Sequence, residues 1–99
     1  MSTVVPEQVA ERFGRNVFRC RRGACLSQEQ LAARAGLHRT EIGLIENGRR
    51  MPRVDTMVRL IGALRVEPTE LLKGIVWEAS GARRPSGRFV LGPLRAEVG

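Results

Sequence analysis

Residues 27–48, SQEQLAARAGLHRTEIGLIENG, decide the fold. Ser27 followed three residues later by Gln30 has the form of a capping box, in which each side chain satisfies the other's backbone amide, so a helix opens there. It would bury Leu31, Ala32 and Ala35 before Gly36 ends it. Leu37 is the apolar residue of the turn, and His38 stands near the N-cap of a second helix. That helix turns Ile42 and Ile45 inward and stops at Asn47-Gly48. The expected helices are about 27–35 and 38–46. Helices of about nine residues are marginal in water, so two in succession persist only by packing on each other and on a third element. Ala32 permits a close crossing, and Gly36 supplies a turn that tolerates no Cβ.

Working outward, Pro6 reads as a helix start. Val9, Phe13, Val17 and Cys20 recur at spacings of four, four and three on one apolar face of a preceding helix that ends before Gly23. Downstream, a basic loop, Arg49-Arg50-Met51-Pro52-Arg53, leads into Val54, Met57, Leu60, Ile61 and Leu64, a helical stripe expected to face inward. Pro68, Leu71 and Leu72 suit a short fifth helix. After Gly74 the composition changes. Ile75-Val76-Trp77 and Phe89-Val90-Leu91 are β-prone runs separated by a Gly/Ser/Arg/Pro stretch, from which a two-stranded ribbon can form, and the last residues read as a frayed end.

Many spaced positions here agree with one family at once. Leu26-Ser27-Gln28-Glu29-Gln30-Leu31-Ala32, then Ala35-Gly36-Leu37-His38-Arg39-Thr40, Ile42, Ile45-Glu46-Asn47-Gly48, Pro52 and Leu60 resemble the Cro/phage-repressor-type helix-turn-helix, also called the xenobiotic-response-element (XRE) family. The match runs from about residue 9 to residue 72. It implies an all-α, five-helix, lambda-repressor-like domain over residues 6–72, to which the composition adds a β-prone, flexible tail over 73–99. It also implies sequence-specific binding of a double-stranded operator, usually as a homodimer, by a transcriptional regulator expected to be a repressor.

With Ile42 and Ile45 inward, 100° per residue puts Thr40, Gly43, Leu44 and Asn47 on the opposite side, with Arg39 beside them at the helix start. Arg39 can span guanine O6 and N7, and Thr40 can offer a hydroxyl to a base or a methyl to thymine. Both match base-reading positions of the resembling family. Gly43 and Leu44 stand where the family commonly has polar residues, so hydrogen-bonded readout is thin and operator shape is expected to contribute. Gln28, Asn47, Arg49 and Arg50 match positions that grip phosphate in the resembling family, and with His38 they are the expected phosphate contacts. The resemblance also sets Arg21 opposite Glu46 as a structural salt bridge. Ile75 and Trp77 share one side of a strand, as do Phe89 and Leu91, and these four are the candidate dimer contacts, with packing on the chain's own helices or a different partner's surface as the alternatives.

The totals agree with a polyanionic partner. Seventeen basic residues against ten acidic give +7, sixteen of the seventeen being Arg, which suits forked contacts with phosphate and guanine. The excess is spread, +4 over residues 1–72 and +3 over residues 73–99. It does not gather on one amphipathic helix face, as binding to a membrane surface would require. A chain of 99 residues holds one domain. One His, no Tyr and scattered acids argue against catalysis. Cys20 and Cys25, with only His38 as another soft ligand, do not make a metal site, and no cofactor is expected. They read as reduced thiols, with a redox switch as the alternative. Without a signal sequence or an apolar span the expected location is cytoplasmic. The second functional expectation is an antitoxin that binds its own promoter while the tail or another surface covers a toxin or co-regulator.

Overall fold

The computed structural model describes residues 2–81 and 83–93. Its helical part is α1 (Pro6–Gly23), α2 (Gln28–Ala35), α3 (Arg39–Glu46), α4 (Val54–Leu64) and α5 (Pro68–Leu71), in that order. Pro6 occupies the first turn of α1, and the Gln8 side chain accepts from the Val5 amide at 3.0 Å. The inner face of α1 carries Val9, Phe13, Val17 and Cys20, all buried. Phe13, Val17 and Cys20 meet Leu31, Ala32 and Ala35 of α2, Ile42 and Ile45 of α3, Leu60, Ala63 and Leu64 of α4, and Leu71 of α5 around a single core. Leu37, in the turn, packs against its edge.

One part of the α4 stripe departs from expectation. Val54 is 76% exposed. The inward set is Thr56, Leu60, Ala63 and Leu64, with Met57 and Ile61 at the margin. Val54 lies about 120° around the helix from Leu60, too far to share its face.

Strands β1 (Ser2–Val4), β2 (Ile75–Ala79) and β3 (Gly87–Leu91) form an antiparallel sheet in the order β1-β3-β2. Ile75 pairs with Leu91 and Trp77 with Phe89, so these four residues do lie on one face of the hairpin. The ribbon gains a third strand because the N-terminus returns along β3, with Val4 opposite Phe89. Side-chain bonds from α1 hold the tail. Asn16 Nδ2 donates to the carbonyls of Leu71 and Lys73 at 2.8 and 3.0 Å, and Arg12 Nη1 donates to Gly92 at 2.5 Å. Gly92 also donates its amide to Gly74 at 2.7 Å, closing the base of the hairpin. Gly92, the first of the residues expected to fray, is thus held in place, and the rest of that expected frayed end beyond Pro93, residues 94–99, lies outside the described residues.

Candidate nucleic-acid interface

The interface is built around the turn between α2 and α3. Ser27 Oγ accepts from the Gln30 amide at 3.0 Å, and Gln30 Oε1 accepts from the Ser27 amide at 2.8 Å, which closes the start of α2. At its other end Gly36 has φ 68 and ψ 34, and the Leu37 amide donates to Ala32 at 2.9 Å. A left-handed residue followed by that bond is the usual glycine stop, and it swings the chain straight into α3.

What holds α3 in place comes from below. Ile42 and Ile45 are fully buried. A Cβ at Gly14 of α1 would sit 2.1 Å from the Ile45 carbonyl oxygen, so the backbones of α1 and α3 touch where only glycine fits. Arg21 completes the attachment. Its Nε and Nη2 donate to the two carboxylate oxygens of Glu46 at 2.7 and 3.0 Å, and its Nη1 donates to the Leu26 carbonyl at 2.9 Å. Both side chains of the pair are nearly inaccessible. The fork ties α1 to α3 and to the loop before α2, and the charge of each residue is compensated inside the protein.

The opposite side of α3 is open. Arg39, Thr40 and Asn47 are exposed, and Gly43 and Leu44 are half-buried. A Cβ at Gly43 would meet nothing within 4 Å, so its missing side chain serves no packing purpose in the free protein. Arg39 makes only a loose ion pair with Glu29 at 3.9 Å, both well exposed, which leaves the guanidinium available. His38 is the exposed N-cap of α3 and makes no side-chain cap bond. Arg49 and Arg50 are exposed beyond the other end of α3, with Arg50 3.8 Å from Glu41. Gln28 is placed differently from the other expected phosphate contacts. Its Nε2 donates to Glu46 at 3.1 Å, so the side chain is half-buried on the Arg21–Glu46 pair.

Two further arginines join this side that the motif reading passed over. Arg59 of α4 reaches back to the turn, donating to the Ala35 and Gly36 carbonyls at 3.3 and 3.4 Å. With Arg50 and Arg53 it lines an open cleft beside Leu37 and Glu41. Arg53 belongs to the quoted basic loop, but nothing in a linear pattern brings residue 59 to residue 36. Ile75, Trp77, Phe89 and Leu91 lie apart, on the sheet. Ile75 is packed against the core, and Trp77 is exposed and meets Phe89 edge-on at 5.0 Å between ring centroids. No group of three or more His, Cys, Asp or Glu among the described residues is arranged to hold a metal ion. No helix there is long and apolar enough to cross a membrane.

Comparison with known proteins agrees with this geometry. A family model described as helix-turn-helix matches residues 19–71. The chain belongs to the helix-turn-helix family. Within it, this helix-turn-helix protein is 41% identical over 59 residues to an HTH-type transcriptional regulator, y4dJ, of Sinorhizobium fredii, covering 60% of this chain and 77% of that protein. It is also 41% identical over 64 residues to the control protein C.SmaI of Serratia marcescens, covering 65% and 76%. Among solved structures it is similar to the restriction-modification controller protein C.AhdI of Aeromonas hydrophila, with a TM-score of 0.61, 37% identity, and 63% of this chain covering 94% of that one. This helix-turn-helix protein is thus of the transcriptional-regulator kind, like the controllers. Its sheet is built from residues outside the matched segment.

Proposed function

We propose that the protein is a dimeric, sequence-specific repressor of transcription, acting in the cytoplasm on a double-stranded operator with α3 in the major groove. One observation carries this reading: the eight-residue α3 is locked from beneath by Ile42, Ile45 and Glu46, while Arg39, Thr40 and the open Gly43 face outward together. A helix held this rigidly presents its outer side chains with little conformational entropy left to lose on binding. Arg39, Thr40, Gly43 and Leu44 read the bases, and His38, Asn47, Arg49 and Arg50 hold phosphates, with Arg53 and Arg59 beside them. Gln28 contributes to phosphate binding chiefly through the backbone amides at the start of α2, its side chain being engaged by Glu46. The relatives' names support a narrower reading, a regulator of the restriction-modification controller kind. No observation favours the antitoxin role.

The test is selection of bound fragments from genomic DNA at a stated salt concentration, repeated with Arg39→Ala. The expected result is a two-fold-related motif that loses a guanine preference in the variant. A wild-type protein that retains no motif above background overturns the proposal, and a variant with an unchanged motif removes Arg39 from the base-reading set.

A further inference from the structure

The outer face of α4 is the least expected surface of the molecule. Val54 and Val58 are 76% and 60% exposed. One turn on from Val58 comes Gly62, where a Cβ would meet nothing within 4 Å. At 100° per residue Val54, Asp55, Val58, Gly62 and Arg65 fall within an arc of about 100°, centred opposite the buried Leu60. None of them is among the residues proposed to touch DNA, although Asp55 also lines the cleft beside Arg50, Arg53 and Arg59.

Asp55 and Arg65, which lie on this face near the two ends of the helix, have opposite charge. Asp55 lies in the first turn of α4, and among the described residues it pairs with the highly exposed Arg53 at 3.3 Å. Arg65 is the C-cap, exposed and held at φ 56 and ψ 47, in the left-handed region that glycine would occupy without strain. An arginine there gains nothing locally that the described residues account for.

We infer that this face is a two-fold contact with a second copy of the chain, the α4 helices packing antiparallel about an axis at the level of residue 60. That arrangement sets Asp55 of each copy against Arg65 of the other, and Val58 of each into the gap left by the other's Gly62. Opposite charges then meet at both ends, the helix dipoles run antiparallel, and the glycine lets the two backbones approach. The pattern is self-complementary, which an isologous contact requires and an unrelated partner does not. The strained Arg65 acquires a purpose, since its charge is needed where a glycine would have none. The sheet face is the weaker candidate for this contact, because Ile75 is already packed in the core and Trp77 rests on Phe89. The inference rests on the proposed dimeric regulator and names where its two-fold lies.

Sedimentation equilibrium of the full chain at low salt tests it, with circular dichroism to verify folding of each variant. The expected result is a wild-type dimer whose dissociation constant rises at least tenfold in Val58→Glu and is little changed in Trp77→Glu. Charge reversal tests the register. Asp55→Arg and Arg65→Asp each place like charges at both ends of their own homodimer, while a mixture of the two variants places opposite charges at both. Native mass spectrometry of the mixture should therefore show the heterodimer in excess over the statistical half. A monomeric wild type, a Val58→Glu protein as dimeric as wild type, dissociation by Trp77→Glu alone, or a merely statistical heterodimer overturns the α4 contact. A wild-type dimer that retains no DNA motif would instead overturn the function and leave this contact standing.

Discussion

At the scale of single residues, the buried Arg21–Glu46 fork and the exposed, loosely paired Arg39 represent two uses of the same side-chain chemistry. Removing one partner of a buried pair leaves the other charge uncompensated and costs about 3 to 5 kcal/mol. Glu46→Ala should therefore lower Tm by more than about 10 °C in a thermal melt, given roughly 4 to 8 °C per kcal/mol for a domain of this size. An unchanged melt would show that the fork contributes no stability. Arg49→Ala should act differently. One fewer phosphate contact weakens binding to all sequences alike and reduces the slope of log K against log salt by about one unit. A titration series from low to moderate salt reads this directly, and a changed preferred site would contradict it. The two thiols also differ. Cys20 is buried and Cys25 exposed, and burial pushes the Cys20 thiol above its ordinary value, with Arg19 opposing. Iodoacetamide at neutral pH should label Cys25 and spare Cys20 until the protein unfolds. Because the folded state holds the Cys20 proton more tightly than the unfolded state, this group leaves stability unchanged well below the thiol range. Stability then falls as pH rises through that range.

At the scale of elements, three glycines in similar-looking helical contexts have three different consequences. Gly14 lies where α1 and α3 touch, so Gly14→Ala forces the helices apart and should cost about 3 kcal/mol or more. Gly36 is left-handed, with a Cβ position 2.8 Å from the Arg59 guanidinium, and Gly36→Ala should cost about 1 to 2 kcal/mol and loosen the turn. Gly43 faces open space in the middle of α3. Gly43→Ala should stabilise the protein by about 1 kcal/mol by improving helix propensity, and any loss of operator binding would then come from the DNA side. Denaturant melts of the three variants should rank them in that order, and a destabilised Gly43→Ala would show that α3 needs freedom at that point. The exposed Phe18 has an element-level explanation too: the Arg21 and Arg22 guanidinium groups lie 5.2 and 5.6 Å from its ring centre, which covers it in part.

At the scale of the whole molecule, the sheet joins the strand before α1 and the hairpin after α5 to the helical domain. β1 pairs with β3, Arg12 and Asn16 hold the tail, and Val90 is buried. Cutting the chain after Gly74 removes β3, the partner of β1, and so should lower Tm and speed amide exchange in the N-terminal strand. Hydrogen exchange checks this, and full protection of β1 in the truncated protein would contradict it. If two copies act together, their recognition helices should protect DNA at sites about 34 Å apart, one turn of duplex, in a hydroxyl-radical footprint.

The helices and their caps were determined by the sequence itself, because capping boxes, glycine stops and the apolar repeat are local and recur at fixed spacings. Ser27, Gln30, Gly36, Ile42 and Ile45 could be assigned inward or terminal roles without knowing any neighbour. Other assignments needed tertiary structure. Whether Gln28 faces DNA or Glu46, whether Arg59 reaches the turn, and why position 14 must be glycine depend on residues 18, 23 and 31 positions away in the chain. A three-residue strand such as β1 is too short to show a period, and it exists only because β3 offers it an edge. Val54 fits an i, i+3 spacing yet stands in solvent, since each such step drifts about 60° around the helix and two steps from Leu60 carry it off the buried face.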